Sequence, residues 1–277
     1  MGTPEVAAGV LARLLDAAEQ PDASFEVAAV VTQPARLQGR AGRGRGSRKG
    51  VQPSPVAALA FERGIAPQRI MAPETARDEA FLKALAALRP DLCVTAAYGN
   101  ILPYAFLVVP RCGTLNVHPS LLPRYRGAAP VQRALQDGVA ETGVSVAFTV
   151  KAMDAGPVLA REAMAVDPDM QAPELLEELF ARGTRLLLRH LPDVLSERAR
   201  GMAEPQDEAQ ASSAPKLAME EGLLDFREPA LTLHNKVRAF AGWPGTRHNF
   251  VLQARTGDGS APPEHQLMEL KVFHEEG

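Results

Sequence analysis

Thr114-Leu-Asn-Val-His-Pro-Ser-Leu-Leu-Pro123 is the stretch on which the reading of this sequence turns. The run from Thr114 to His118 has the short, apolar, β-branched character of a buried strand. Asn116 and His118 are two residues apart, so on a strand their side chains point to the same face. Pro119 follows at once and ends the strand. Both polar groups therefore sit at a strand's carboxyl end, where open α/β sheets place their ligands. Working backward, Asp91 to Ala97 and Phe25 to Val31 read as two further buried strands. Helices are expected between and around them: one opening at Thr3-Pro4-Glu5 with Thr3 as its N-cap and Pro4 as its first residue, one from Ser54-Pro55 to about Arg63, and one from Asp78 to Leu88. Working forward, Gln132 to Gln136 lies on a helix. Thr142 to Val150 and Val158 to Met164 read as antiparallel neighbours, and Glu174 to Leu191 as a long amphipathic helix. Buried strands alternating with helices imply an α/β fold with a Rossmann-like, mostly parallel sheet.

Composition changes at Ser196 to Pro215, a polar tract with no apolar period. It reads as a linker at 196–215 between a catalytic unit at 1–195 and a smaller unit at 216–277. In the smaller unit a helix is expected from Glu228 to Ala239, and strands at Phe250 to Ala254 and His265 to Phe273.

The whole chain has 277 residues, 46% of them apolar and 23% charged, with a net charge of −3. Those proportions exclude a wholly disordered, collagen-like or disulfide-scaffold protein. Cys93 and Cys112 are too few for a disulfide framework or a four-cysteine zinc site, so a reducing compartment is expected. No apolar run is long enough to span a membrane, and no signal or transit segment precedes the first helix. The charge is uneven. No acid occurs between Glu26 and Glu62, while Arg36, Arg40, Arg43, Arg45, Arg48 and Lys49 fall in that gap. Removing those six positive charges leaves −9 on the rest of the chain. The glycines interleaved with them make the segment a loop. Glycine lets backbone approach a phosphate chain, and arginine binds phosphate bidentately. A solvated loop shaped by genomic arginine bias fits the same residues.

The chemistry concentrates between Tyr98 and Gly156. An asparagine amide can donate two hydrogen bonds to a developing oxyanion, and a histidine can move a proton near neutral pH. Asp154 arrives from another element beside Gly156 and is suited to hold or charge the imidazole. With no serine or cysteine between them, these groups suggest acyl transfer without a covalent enzyme intermediate. Each alone has a plainer reading: a satisfied strand-end histidine, or an aspartate in a turn. A nucleotide-binding dehydrogenase is excluded, because no G-x-G-x-x-G opens a βαβ unit.

Asn116-Val-His-Pro-Ser-Leu-Leu-Pro123, followed by Asp154, resembles the fingerprint of the N10-formyltetrahydrofolate-dependent formyltransferase family. Arg124-Tyr-Arg-Gly-Ala-Ala-Pro-Val-Gln-Arg-Ala134 resembles the branch whose acceptor is initiator methionyl-tRNA. Gly2-Thr-Pro-Glu5, Thr32-Gln-Pro34, Pro53-Ser-Pro-Val56 and Trp243-Pro244 look like the same branch. The resemblance implies a direct transfer with 10-formyltetrahydrofolate as donor, initiator methionyl-tRNA as partner, no metal, no membrane association and a monomer. Asn116, His118 and Asp154 would be catalytic. Ser120, Leu121, Leu122 and Pro123, with Ile101, Leu102 and Pro103, would contact the folate. The basic cluster would bind the tRNA acceptor arm. The compartment would be the cytoplasm in a bacterium, and the mitochondrion or chloroplast in a eukaryote.

The sequence departs from the family pattern at three places. Family members carry an apolar strand ahead of Gly-Thr-Pro, where this chain has only Met1. Val6 stands where a phenylalanine is usual. The segment from Lys216 is short for the family's OB-like barrel. The sheet is therefore expected to lack its first strand, the barrel to be truncated, and any transit peptide to be missing. A different formyl-folate-dependent transferase or hydrolase, or an inactive tRNA-binding fragment, remains the alternative.

Overall fold

The computed structural model describes residues 1–37, 51–252 and 266–272. The chain forms α1 (Glu5–Ala18), β1 (Val30–Val31), β2 (Arg36–Leu37), β3 (Val51–Gln52), α2 (Pro55–Glu62), β4 (Ile70–Met71) and α3 (Glu79–Ala87). It continues through β5 (Cys93–Thr95), α4 (Tyr104–Leu107), β6 (Thr114–His118), β7 (Arg126–Gly127), α5 (Pro130–Gln136), β8 (Glu141–Phe148) and β9 (Val158–Ala165). Then follow α6 (Ala172–Leu195), α7 (Ala199–Met202), β10 (Ser213–Ala214), α8 (Ala230–Ala239), β11 (Thr246–Leu252) and β12 (Gln266–Val272).

The central sheet runs β5-β6-β8-β9, parallel between β5 and β6 and antiparallel beyond. β6 alternates as its sequence demands. Leu115 and Val117 are fully buried, facing the helix side, where Val117 and Val144 of β8 press close to Gly183 of α6. Asn116 and His118 turn to the opposite face. α6 packs its apolar stripe, Leu175, Leu179, Leu187 and Val194, into this core. Its start is fixed by a capping box between Gln171 and Glu174. α2 and α3 begin where Ser54 and Asp78 accept hydrogen bonds from Ala57 N and Phe81 N.

β1 pairs in parallel with β4 as a separate ribbon. Met1 and Gly2 join it to the main sheet. Met1 N donates to Val94 O and Ala96 N donates to Met1 O, while Gly2 N donates to Val31 O. This places Met1 opposite Thr95, in the pattern of a parallel strand. Burial pushes the Met1 ammonium down to about 6.

Three expectations change here. Thr3 does not cap α1: Pro4 holds the cap position, and the Thr3 hydroxyl donates to Tyr98 O instead. Of the strand expected at Phe25–Val31, only Val30 and Val31 pair; Phe25 to Ala29 join no sheet. Ahead of Met1, between that segment and Leu92–Val94, lies a cavity of about 420 Å³ also lined by Val10 and Leu191. The polar tract 196–215 is not free chain. It forms α7 and β10 and lies against the catalytic unit, with β10 pairing in parallel with β7.

Candidate active site

β6 delivers Asn116 and His118 to its carboxyl end, and the turn after β8 brings Asp154 to meet them. Asn116 Nδ2 donates to Asp154 Oδ1 at 3.3 Å, and His118 Nδ1 lies 3.7 Å from the same oxygen. The three side chains form one cluster, with His118 only 4% exposed. Asp154 sits at φ +49°, in the left-handed region. For a residue other than glycine that costs on the order of 1–3 kcal/mol, which the surroundings must supply. They do so at both ends of the residue. Gly127 N donates to Asp154 Oδ2 at 2.9 Å, and the Gln206 amide donates to the Asp154 and Gly156 carbonyls at 2.7 Å each.

The orientation of each group follows from its partners. Thr95 Oγ1, on the neighbouring strand and in register with Asn116, donates to Asn116 Oδ1 at 2.9 Å. That fixes the amide with its Nδ2 toward Asp154 and leaves a second N–H for a ligand. His118 Nε2 lies 2.9 Å from Tyr125 O. A carbonyl only accepts, so Nε2 carries the hydrogen and Nδ1 is the nitrogen open to exchange a proton beside Asp154. Two glycines permit the close approaches. At Gly127 a Cβ would lie 2.5 Å from Ala214 O, and at Gly156 it would lie 1.7 Å from Phe148 O.

The remaining sequence candidates fall into three groups. Ser120 is fully buried, with its hydroxyl donating to Arg124 O. Leu122 is buried with Ala147 and Val158, and its N–H donates to Ser145 Oγ. These two shape the turn from within, while Leu121 and Pro123 are half-buried. Ile101 is 69% exposed before α4. Leu102 and Pro103 are half-buried there, with Leu102 packed against the cluster of Phe81 and Phe106. The backbone of Arg36 lies in β2, paired with β3, so the basic segment issues from a two-stranded ribbon. Arg40, Arg43, Arg45, Arg48 and Lys49 lie outside the described residues.

Sequence reasoning missed Thr95, Tyr125, Gly127 and Gln206. Thr95 carried a signal, a hydroxyl inside an apolar strand; Tyr125 and Gly127 lay in the quoted stretch Arg124 to Ala134 without a role assigned to them, and Gln206 carried no signal. Among the described residues no His, Cys, Asp and Glu group could hold a metal, and no helix is long and apolar enough to cross a membrane.

Residues 7–191 match the family model described as formyl transferase, and 216–256 match its C-terminal domain. The methionyl-tRNA formyltransferase of Roseiflexus sp. (strain RS-1) is 40% identical over 247 residues, covering 88% of this chain and 70% of that protein. The chain belongs to the methionyl-tRNA formyltransferase family. A second member, from Paramagnetospirillum magneticum, is 41% identical over 269 residues, 95% of this chain and 83% of its own length. The fold also matches more distant solved structures. A sugar N-formyltransferase from a Shewanella species aligns with a TM-score of 0.59 at 14% identity, covering 80% of this chain and 81% of that one. A sugar 3N-formyl transferase, solved in the presence of dTDP and 5-N-formyl-THF, aligns with a TM-score of 0.58 at 15% identity, covering 86% and 77%. The formyltransferase fold expected from the sequence is thus the observed one.

Proposed function

We propose that the chain transfers the formyl group of 10-formyltetrahydrofolate to the amino group of methionyl initiator tRNA, acting as a monomer in the cytoplasm of a bacterium. The observation that carries the reading is the convergence of Asn116, His118 and Asp154 at the carboxyl end of β6. The second Asn116 N–H stabilises the oxygen of the formyl group as the amine adds to its carbon. The new bond joins the amine nitrogen to that carbon, and the bond to the folate N10 breaks. His118 Nδ1 takes the proton that the amine gives up and returns it to N10, and Asp154 steadies the imidazolium between the two steps. Products are the formylated aminoacyl-tRNA and tetrahydrofolate. Ile101, Leu102, Pro103, Leu121 and Pro123 would contact the donor, with Ser120 and Leu122 holding the turn. Arg36, Arg40, Arg43, Arg45, Arg48 and Lys49 would contact the tRNA backbone. Formylation of charged initiator tRNA in which Asn116→Ala and His118→Ala together leave the rate unchanged would overturn this mechanism.

Two architectural readings accompany it. The cavity ahead of Met1 fits one further parallel strand between β1 and β5, since strand alternation turns the peptide groups of Ala29 and Leu92 toward it. The described residues beyond Lys216 would form part of a β-barrel of OB type. The antiparallel pair β11–β12 and the bridge between Leu223 and Arg247 support this.

A further inference from the structure

We infer that Gln206, in the tract between the two matched regions, is a positioning residue for Asp154. This rests on the formyl-transfer reading of the site. The Gln206 amide spans the two segments that touch the catalytic side chains. Its Nε2 donates to Asp154 O and Gly156 O, bracketing the left-handed turn that aims the Asp154 carboxylate. Its Oε1 accepts from Arg126 Nε at 2.9 Å. Arg126 lies between Tyr125, whose carbonyl faces His118 Nε2, and Gly127, whose N–H holds Asp154 Oδ2. One side chain thus ties the loop that presents Asp154 to the strand that orients both Asp154 and His118.

The surrounding tract keeps Gln206 in place. Glu204 pairs with Val158 through both backbone groups, Glu208 grips the Arg126 guanidinium with both oxygens, and Ser212 accepts from Tyr125 N and Arg126 N. Glutamine is the residue type this position needs. Only an amide both donates to two carbonyls and accepts from a guanidinium; a carboxylate would face those carbonyl oxygens with no hydrogen to give. Gln206 touches no reacting atom, so its loss acts through the placement of Asp154. A misplacement of about 1 Å costs on the order of 10²-fold.

The test is steady-state formylation of methionyl initiator tRNA by the full chain. Gln206→Ala should lower kcat by about 10- to 100-fold, with KM for both substrates and the melting temperature close to wild type. Gln206→Glu should fall as far. Gln206→Asn, one methylene shorter, should recover part of the loss. Gln210→Ala, which removes an exposed glutamine of the same tract whose side-chain amide donates to Asp207, should stay near wild type. Full kcat in Gln206→Ala or in Gln206→Glu overturns the inference. So does a loss of kcat matched by a loss of folded protein. His118→Ala run alongside separates the two readings: if it is inactive while Gln206→Ala is fully active, only the role of Gln206 falls; if His118→Ala is itself active, the reading of the site falls.

Discussion

Gly183→Ala sets two opposing effects of known size against each other. Gly183 lies in the interior of α6, where replacing glycine with alanine ordinarily stabilises a helix by about 1 kcal/mol. Here the added Cβ would lie 2.4 Å from Val117 Cγ1 and 2.6 Å from Val144 Cγ2. Carbon atoms in contact prefer about 3.5–4.0 Å, so two methyl groups are overlapped by roughly 1 Å each. Both belong to β-branched side chains on strands, which have little rotamer freedom to retreat. The helix must lift from the sheet, and overpacking of this kind costs about 1–3 kcal/mol. With two stiff neighbours the upper part of that range applies, and the net destabilisation should be ~1–2 kcal/mol. Urea unfolding measures it as a lowered midpoint. Because Val117 lies between Asn116 and His118, displacement of β6 should also lower kcat for formylation by about 10-fold or more. Val144→Ala removes one of the two clashing methyls, so the double variant should be more stable than the two single losses added together. A Gly183→Ala protein as stable and as active as wild type would show that α6 is not pressed against β6 as described.

Thr95→Val removes the hydroxyl that fixes the Asn116 amide. It should lower kcat by about 10-fold and stability by ~1 kcal/mol, because the half-buried amide loses the donor to its oxygen; kcat at the wild-type level would refute the orientation argument. The Met1 ammonium is held near 6 in the folded chain, against 8.0 unfolded. The unfolded state therefore binds more protons across that window, and stability should rise from pH 6 to pH 8. Urea midpoints at the two pH values check this, and acetylating the amine should flatten the rise. A five-residue apolar extension ahead of Met1 should raise stability by ~2–5 kcal/mol, as new ladder bonds form at about 0.5–1.5 kcal/mol each; no gain in melting temperature would refute the strand reading of the cavity. Replacing Arg40, Arg43, Arg45, Arg48 and Lys49 with glutamine should flatten the plot of log tRNA affinity against log salt by about 0.7–0.9 for each phosphate no longer neutralised. An unchanged slope would exclude those residues from the interface.

The sequence was most legible where side-chain alternation is forced by two different surroundings. Thr114 to His118 forms its strand residue for residue, because Leu115 and Val117 need the core while Asn116 and His118 need the opposite face. Asp78 and Ser54 mark their helix starts through a local hydrogen bond that needs no tertiary context. Phe25 to Ala29 shows the limit of such reasoning. An apolar β-branched run predicts burial, and these residues do line a cavity wall, but pairing depends on what lies on the other side. Ser120 and Leu122 read as folate contacts from the motif alone. A turn packed against β8 has an inner side, and these two residues lie on it. Gln206 gives no signal at all. Its partners are two backbone carbonyls some fifty residues away and the Arg126 guanidinium, further still along the chain, and a polar tract looks the same whether it faces water or a catalytic loop.

The two-residue joint at Met1 and Gly2 has a consequence for how the molecule opens. Among the described residues, three hydrogen bonds at this joint are the only backbone ones that connect the β1–β4 ribbon to the four-stranded sheet. Such a seam divides the protein into units of unequal protection. Amide hydrogens of Val30, Thr32 and Met71 should exchange with solvent through openings that leave Thr114 to His118 closed. Under native conditions deuterium should enter the ribbon first and the catalytic strand last, so the chain can lose one edge of its architecture while the reacting groups keep their places.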